Sequence, residues 1–459
     1  MANATVPAGQ TLTIQPGVKV IIPSGVSISA HGLIQAVGTP SQRISFAAPI
    51  SSQYFDAIYL YSPVGTNGFK YCDFTNASSA LCFQNGYGAN AACDIKFCSF
   101  QNVTNAIFIG GYGNWYASDW NNPIGIQVWI MNCTFSNCCS QAIYGVAQAG
   151  TDGQTYWNYA AINPVIKNCD FFNSSNGCVF DILSVGTQGY GWAGSAAPLI
   201  IANCIFDSLS GAALLLRQAD GYDNLPSPVA FKNNALSNCN TGVNATDPWD
   251  AQIQDNIFVG ITNAVTVAGS LSRTVSYNNF YANATNFTGY PPTYGEWIIP
   301  NRNGTLADLS FNISQDPLFA GTNDFHLQTN SPCIDAGTPD PALAEQCFPP
   351  AQGTSLPDLG AYGGLAGCNW LDVVPELPVQ LSMSSSNNLV WLNWAGLPRS
   401  SYQIEWLPGF PCALPGAKWL TNCAFMDVAN PCSVAVSTGP CTNTQGFFRV
   451  QSLGRLPGD

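Results

Sequence analysis

Charged residues are scarce in this chain of 459 residues. Asp, Glu, Lys and Arg make up only 8% of it, against about 25% in an ordinary soluble domain. The 13 Lys and Arg are outnumbered by 26 Asp and Glu, which gives a net charge of −13. So few cations argue against nucleic acid and anionic membranes as partners, because both need a basic surface. Apolar residues at 46% and aromatic residues at 12% argue against disorder.

The chain has few of the residues that several common kinds of site and segment require. His31 and His326 are the only histidines, so a histidine metal site or a Ser-His-Asp triad is poorly supported. No apolar run reaches the roughly 18 residues of a membrane-spanning helix, so we expect no membrane insertion. The opening MANATVPAG has neither the basic nor the apolar part of a signal peptide, whereas 18 cysteines suit an oxidising compartment. We therefore expect a secreted protein in which Met1 replaces a removed leader.

A short phrase recurs through the first two thirds of the chain. It consists of an apolar stretch, then Cys or Asn, any residue, and usually Phe. About seven residues later comes a second apolar position. The last repeats are 22 residues long, and the longer repeats have their insertions at one equivalent place. This pattern is typical of a parallel β-helix. The phrases begin at Cys72, Cys98, Cys133, Cys169, Cys204, Asn234, Asn256 and Asn278, and the second positions are Leu81, Ile107, Ala142, Cys178, Ala213, Val243, Val265 and Phe287.

Equivalent residues of a β-helix stack in ladders along its axis, spaced about 4.8 Å like neighbouring strands. Cysteine at the inward position serves as a small apolar residue, so we expect several of these thiols to form a reduced ladder in the core. Asn at the same position can hydrogen-bond the equivalent turn of the next coil. The phrases therefore predict a Cys ladder that continues as an Asn ladder.

The two ends of this region resemble a known family. Residues 7 to 48 alternate at period two between Gly and Pro turns, and Asp316 to Asp340 reads DPLFAGTNDFHLQTNSPCIDAGTPD. These phrases resemble secreted bacterial right-handed parallel β-helix proteins of the pectin-lyase-like superfamily. The resemblance covers residues 1–345 and implies that fold. It implies no single activity, because the superfamily includes polysaccharide lyases, glycoside hydrolases and non-catalytic surface proteins.

A Pro- and Gly-rich linker or packing segment is predicted at 346–378. After it, residues 379–459 contain short alternating strands that predict a small β-sandwich, and YQIEW with GFFRV resembles a fibronectin-type-III-like module. Spacing allows local disulfides here, but it does not set their pairing. The cysteines concerned are Cys412, Cys423, Cys432 and Cys441.

Long inserts follow the second strand of the middle repeats. Because the coils stack, the inserts should emerge from one edge and form a wall rich in aromatic side chains. Such rings suit sugars, whose C–H faces are apolar and whose rims are hydroxyls; the alternative is that the rings pack the loops against each other. The predicted substrate-binding residues are Trp115, Trp120, Tyr156, Trp157, Tyr190, Trp192, Arg217, Tyr222 and Trp249.

The same wall concentrates carboxylates, and glycoside hydrolysis needs two of them. If Cys178 and Phe180 face inward, Asp181 points outward, with Arg217 one coil further on. We expect an inverting pair of Asp181 and Asp247, or a pair of Asp181 and Asp220. The alternative is that these aspartates are solvated in Asx turns.

The sequence thus predicts an extracellular protein that hydrolyses a neutral polysaccharide without a cofactor, although clustered Asp leave Ca²⁺ as an option. One alternative is a non-catalytic glycan-binding adhesin or surface fibre that self-associates through its ends or faces. A second is a polysaccharide lyase. That reaction needs a Lys, Arg or Tyr base and a cation, and an acidic protein repels polyanions.

Overall fold

The computed structural model describes most of the chain. It covers residues 3–61, 65–84, 91–113, 125–149, 158–184, 191–194, 198–219, 227–246, 249–268 and 274–370, and the backbone of six strands between 381 and 455. The chain divides into two compact units, Met1–Cys368 and Asn369–Asp459.

Three long parallel sheets build the first unit. Sheet A contains Ala4–Val6, Ile28–Ala30, Phe55–Tyr61, Ala77–Gln84, Asn105–Gly113, Gln141–Ala149, Asn176–Ser184, Ala212–Ala219, Thr241–Thr246, Asn263–Ala268 and Thr285–Thr288. Sheet B contains Thr11–Ile14, Leu33–Val37, Thr66–Lys70, Ala91–Lys96, Gly125–Met131, Asn158–Lys167, Leu199–Ala202, Ser227–Lys232, Trp249–Gln254 and Thr274–Ser276, with Gly191–Gly194 paired to Asn158–Lys167. Sheet C contains Lys19–Ile21, Ile44–Ala47, Cys72–Thr75, Ser99–Gln101, Thr134–Ser136, Asp170–Phe172, Ile205–Asp207, Ala235–Ser237, Ile257–Val259 and Asn279–Tyr281.

Each coil passes through sheets A, B and C in turn, and each strand pairs with its equivalents in the neighbouring coils. The predicted right-handed parallel β-helix is therefore confirmed. The inserts also occupy the predicted place, because the long stretches between strands lie between a sheet A strand and the next sheet B strand.

The other two corners of a coil are usually single residues in the left-handed region. Asn132 and Asn168, both at φ 53°, turn the chain from sheet B to sheet C, and Asn137 and Asn173, at φ 53° and 51°, turn it from sheet C to sheet A. Asn adopts this region more readily than most residues, since its short polar side chain bonds locally. These two corner rows explain part of the chain's Asn content.

Stacked side chains fill the core. Phe100 and Phe135 have ring centroids 5.0 Å apart, and Phe135 and Phe171 have theirs 4.7 Å apart; all three rings are fully buried. The predicted reduced thiol ladder is confirmed as well, since its members are buried and free of disulfides. They are Cys72, Cys98, Cys133, Cys169 and Cys204.

The Asn ladder continues the thiol ladder along the helix axis. Oδ1 of Asn234 accepts the backbone N–H of Cys204 at 2.9 Å. Oδ1 of Asn256 in turn accepts both the backbone N–H and the Nδ2–H of Asn234, each at 2.9 Å. The pattern repeats at Asn278 and ends one coil later at Asn312. The prediction is confirmed, and Asn312 extends it.

The second apolar positions are buried except Phe287, which is half-buried, and two of them are shifted by one residue in register. Ile143 and Leu214, rather than Ala142 and Ala213, pair in line with Ile107. Ala142 and Ala213 are nevertheless fully buried. Two consecutive inward residues therefore begin these sheet A strands, which strict alternation does not predict.

The end of the first unit folds back on the helix. After two hairpins, Ile299–Pro300 with Leu306–Ala307 and Phe319–Gly321 with Asp324–Leu327, come the 3₁₀ helices Pro341–Leu343 and Leu365–Trp370.

We call residues 335–368 the closing strap, because this segment runs along the B–C corner. Nδ2 of Asn168, Asn203 and Asn233 donate to strap carbonyls at 3.1, 2.9 and 3.1 Å. Asp255 accepts the backbone N–H of Thr338 at 2.8 Å. A disulfide, Cys347–Cys368, closes the strap on itself.

The second unit contains two antiparallel sheets of three strands, the sheet pair of a small β-sandwich. Their orders are Leu381–Ser386, Leu389–Trp394, Cys432–Ser437 and Leu420–Phe425, Ser400–Pro408, Gly446–Arg455. Cys412 and Cys441 lie outside the described residues, as do the side chains of Cys423 and Cys432.

Candidate functional site

A polar cluster lies on the outer face of sheet A. Asp181 and Arg217 are register partners on adjacent strands. Nε and Nη2 of Arg217 donate to Oδ1 and Oδ2 of Asp181, both at 2.7 Å. The hydroxyl of Tyr144, one coil earlier, donates to Oδ2 of Asp181 at 2.9 Å.

This cluster arises from alternation along the strand Asn176–Ser184. Cys178 and Phe180 face inward and are fully buried, so Asp181 points to the outer face, as predicted. The position of Arg217 one coil further on is confirmed too.

Burial and charge differ between the two partners. The Asp181 side chain is 9% exposed and that of Arg217 is 46% exposed. The hydrogen bond to Asp181 raises the pKa of Arg217 above its already high ordinary value, although partial burial opposes this. Arg217 is therefore a permanent cation and a poor base. Asp181 accepts through both oxygens, which is the geometry of an ionised carboxylate bound by a guanidinium.

Aromatic rings precede this cluster on the same face. The rings of His31 and Tyr61 stack with centroids 4.9 Å apart, and Tyr59 lies 5.9 Å from Tyr61. Phe108 meets Tyr144 edge to face at 5.5 Å. We call these five residues the aromatic strip. All but His31 are half-buried, so each of those rings keeps some exposed surface.

The phenols of the strip are hydrogen-bonding groups rather than bases. Burial raises the pKa of Tyr59 to about 12, helped by Asp56, which accepts its hydroxyl at 3.1 Å. Burial also raises the pKa of Tyr61. Both hydroxyls therefore stay protonated at neutral pH. That of Tyr61 can donate to a ligand's oxygen atom, whereas that of Tyr59 already donates to Asp56 and can accept from a ligand.

Register places Tyr61 and the ion pair on one line along the axis, and Tyr59, Phe108 and Tyr144 on a parallel line two residues earlier on the same strands. Tyr61 pairs in sequence with Gln84, Gly110, Val146, Asp181 and Arg217. Five steps of about 4.8 Å make this line about 24 Å long. Gly110, Val146 and Asp181 in the middle of this line are buried, so its side-chain surface is offered at the two ends, by Tyr61 with Gln84 and by Arg217. A ligand that contacts both ends is an extended polymer rather than a small compact molecule.

Trp249 does not belong to this face. It begins a sheet B strand, its side chain is fully buried, and its Nε1 donates to the carbonyl of Arg217 at 3.1 Å. The ring therefore supports the backbone of Arg217 and has no exposed surface to offer a sugar.

The other predicted site residues cannot be placed beside Asp181. Trp192 lies on the strand Gly191–Gly194, of which only the backbone is described. The remainder fall outside the described residues, namely Trp115, Trp120, Tyr156, Trp157, Tyr190, Tyr222, Asp220 and Asp247.

Sequence reasoning missed the aromatic strip because it searched the inserts rather than the strands. A signal was present, since Tyr59 and Tyr61 alternate with the buried Ile58 and Leu60. Tyr144 likewise follows the buried Ile143.

Neither a metal site nor a known relative assigns a function to the chain. In the part of the chain that the structure covers, no group of three or more His, Cys, Asp or Glu side chains is arranged to hold a metal ion. Over the same residues, no helix has the length and apolarity needed to cross a membrane. No protein-family model matches the chain, and no curated protein matches it.

Proposed function

We propose that this protein binds a neutral glycan along the outer face of sheet A. The observation that carries the proposal is that the aromatic strip and the Asp181–Arg217 ion pair share the outer face of sheet A. Half-exposed rings offer apolar surface to the C–H faces of sugars, and the ion pair with Tyr144 offers donors and acceptors to hydroxyls. Arg217 is already neutralised by Asp181, so the described residues of this face include no unpaired cation that would favour an acidic sugar.

The setting we propose is extracellular. The chain resembles secreted β-helix proteins of the pectin-lyase-like superfamily through its closing phrase, and its second unit resembles a fibronectin-type-III-like module. Such a module would anchor or space the glycan-binding helix.

Hydrolysis is the second candidate function, and the state of Asp181 favours it over elimination. A carboxylate held by Arg217 and Tyr144 suits the base or nucleophile of a glycosidase, which must be ionised. The protonated partner would then be Asp247 or Asp220 of the inserts. A lyase is less suited, because the pKa of Arg217 is raised and the pKa of Tyr59 is about 12.

The test combines binding and turnover on one polysaccharide panel. Affinity electrophoresis measures retention by each neutral or acidic glycan, while reducing ends and unsaturated uronides are measured from pH 3 to 8. Asp181→Asn should abolish retention by a neutral glycan, since it breaks the bidentate pair that orders Arg217. Asp73→Asn is the matched control, because Asp73 forms a similar ion pair with Arg43 on sheet C at 2.8 Å.

The outcomes separate the two functions. Retention lost only in Asp181→Asn supports the site, and reducing ends lost in the same variant support hydrolysis. Equal behaviour of the two variants, or no retention by any neutral glycan, refutes the proposed function.

A further inference from the structure

A row of lysines runs along the outer face of sheet B, and the proposed function does not use it. The chain has six lysines, and four of them end sheet B strands at equivalent positions. Lys70 pairs with Lys96, and the register continues through Met131, Lys167, Ala202 and Lys232. We call Lys70, Lys96, Lys167 and Lys232 the lysine row.

The charges of this face contrast with those of the whole chain. The strands of sheet B contain the four lysines against two aspartates, Asp94 and Asp250, a difference of +2, whereas the chain carries −13. Lys96 contacts Asp94 at 3.1 Å. Within the described residues, no carboxylate forms an ion pair with Lys70, Lys167 or Lys232.

An apolar floor lies beside the row. Two residues earlier on the same strands, Trp129, Val165, Ile200 and Ala230 pair in register. All four point outward and are half-buried. The floor and the row therefore form one strip, with apolar surface along its middle and cations along the edge nearest sheet C.

Spacing along the row indicates the kind of ligand. Lys96, Lys167 and Lys232 are each two coils apart, or about 10 Å at the ordinary strand spacing. Phosphates along one nucleic-acid strand recur at about 3.4 Å, so only every third phosphate would meet a lysine. The chain's net charge of −13 disfavours a polyanion of such high charge density. One sugar of an extended polysaccharide advances about as far as one coil, so a charge on every second sugar would meet every second coil.

We propose that the outer face of sheet B binds a linear acidic polysaccharide that bears one anionic group on every second sugar. The sugar rings lie on Trp129 and its apolar neighbours, and the anionic groups contact Lys167 and Lys232, which form no ion pair with a described carboxylate, unlike Lys96. Lysine suits this role, because its ammonium is a point charge on a flexible stem and imposes no planar geometry on the anion. This face is separate from the sheet A site, so either proposal can fail alone.

The test uses hyaluronan oligosaccharides, which carry one carboxylate per two sugars, and the same oligosaccharides after reduction of their carboxyl groups. The variant is Lys167→Gln with Lys232→Gln. The matched control is Lys19→Gln with Arg302→Gln, which removes the same charge from exposed cations off the row. Thermal unfolding checks that both variants fold. The loss of two ion pairs at the protein surface corresponds to about a tenfold loss of affinity at low salt.

A loss of about tenfold in the row variant, with the control unchanged and the carboxyl-reduced ligand unbound, supports the proposal. Equal losses in both variants overturn it, because net charge alone would then explain binding. It is also overturned if the native protein does not bind hyaluronan, or binds the reduced ligand as well. If single-stranded DNA or phosphatidylserine vesicles bind as tightly as hyaluronan or more tightly, the lysine row binds anionic polymers or surfaces in general. That result would overturn the proposal of a polysaccharide ligand.

Discussion

Replacing Asn256 by Ala should be among the most damaging single changes in the helix. Asn256 is fully buried. Its Oδ1 accepts two hydrogen bonds from Asn234, and the two hydrogens of its Nδ2 are shared among the carbonyls of Phe231 and Gln254 and Oδ1 of Asn278. Alanine makes none of these contacts.

The magnitude follows from the groups left without partners. The backbone N–H of Asn234 and one hydrogen of its Nδ2 lose their acceptor in a site closed to water. Oδ1 of Asn278 keeps the backbone N–H of residue 256, at 3.0 Å, as a donor. Two buried orphan donors at about 1–3 kcal/mol each lower the free energy of unfolding by about 2–6 kcal/mol.

Urea unfolding followed by circular dichroism measures this loss. Asn244→Ala is the control, because Asn244 is half-exposed on sheet A and its side chain bonds no other described residue; we expect a change below about 0.5 kcal/mol there. If Asn256→Ala loses no more than the control, the Asn ladder does not stabilise the helix and our reasoning about it is wrong.

Three further predictions concern the strap and the thiols. Burial raises the pKa of Glu345 to about 8 and that of Asp358 to about 7. In the unfolded chain both pKa values lie near 4. The protonated carboxyl groups therefore contribute fully to the free energy of unfolding below about pH 4, and this contribution is lost as the pH rises toward 8. The melting temperature should therefore fall over this interval and fall less in Glu345→Gln, and a steeper fall in that variant would contradict the assignment. Replacing both Cys347 and Cys368 by Ser should destabilise the strap by about 3 kcal/mol, seen as faster proteolysis between these positions; an unchanged rate would show that the disulfide adds nothing. Iodoacetamide mapped by mass spectrometry should modify exposed Cys139 in the native protein before buried Cys133, and rapid labelling of Cys133 would contradict the closed core.

The β-helix was predictable because an inward residue recurs once per coil. Cys133 and Asn256 occupy the same ladder position, and both residue types satisfy it, one as an apolar filler and one as a donor and acceptor. Counting about seven residues on from the Phe of each phrase located the second apolar position only to within one residue. Ala142 and Ile143 are both buried, so polarity alone could not choose between them.

The candidate site was predictable only where strand alternation applied. Alternation correctly placed Asp181 outward and Arg217 beside it. Trp249 was assigned to an insert on loop length, whereas it begins a strand and packs inward. The strap left no local signal, because its contacts join residues as far apart as Asn168 and Ala366.

The strap has a consequence for how the helix comes apart. In a solenoid each repeat contacts only its neighbours, so opening can begin anywhere and spread one repeat at a time. Here one segment is hydrogen-bonded to the corners at Asn168, Asn203, Asn233 and Asp255 at once. None of these four coils can open without also leaving the strap, which links them into one cooperative block. Unfolding should therefore begin among the coils nearest the N terminus, and this block should be the last part of the helix to exchange its amide hydrogens.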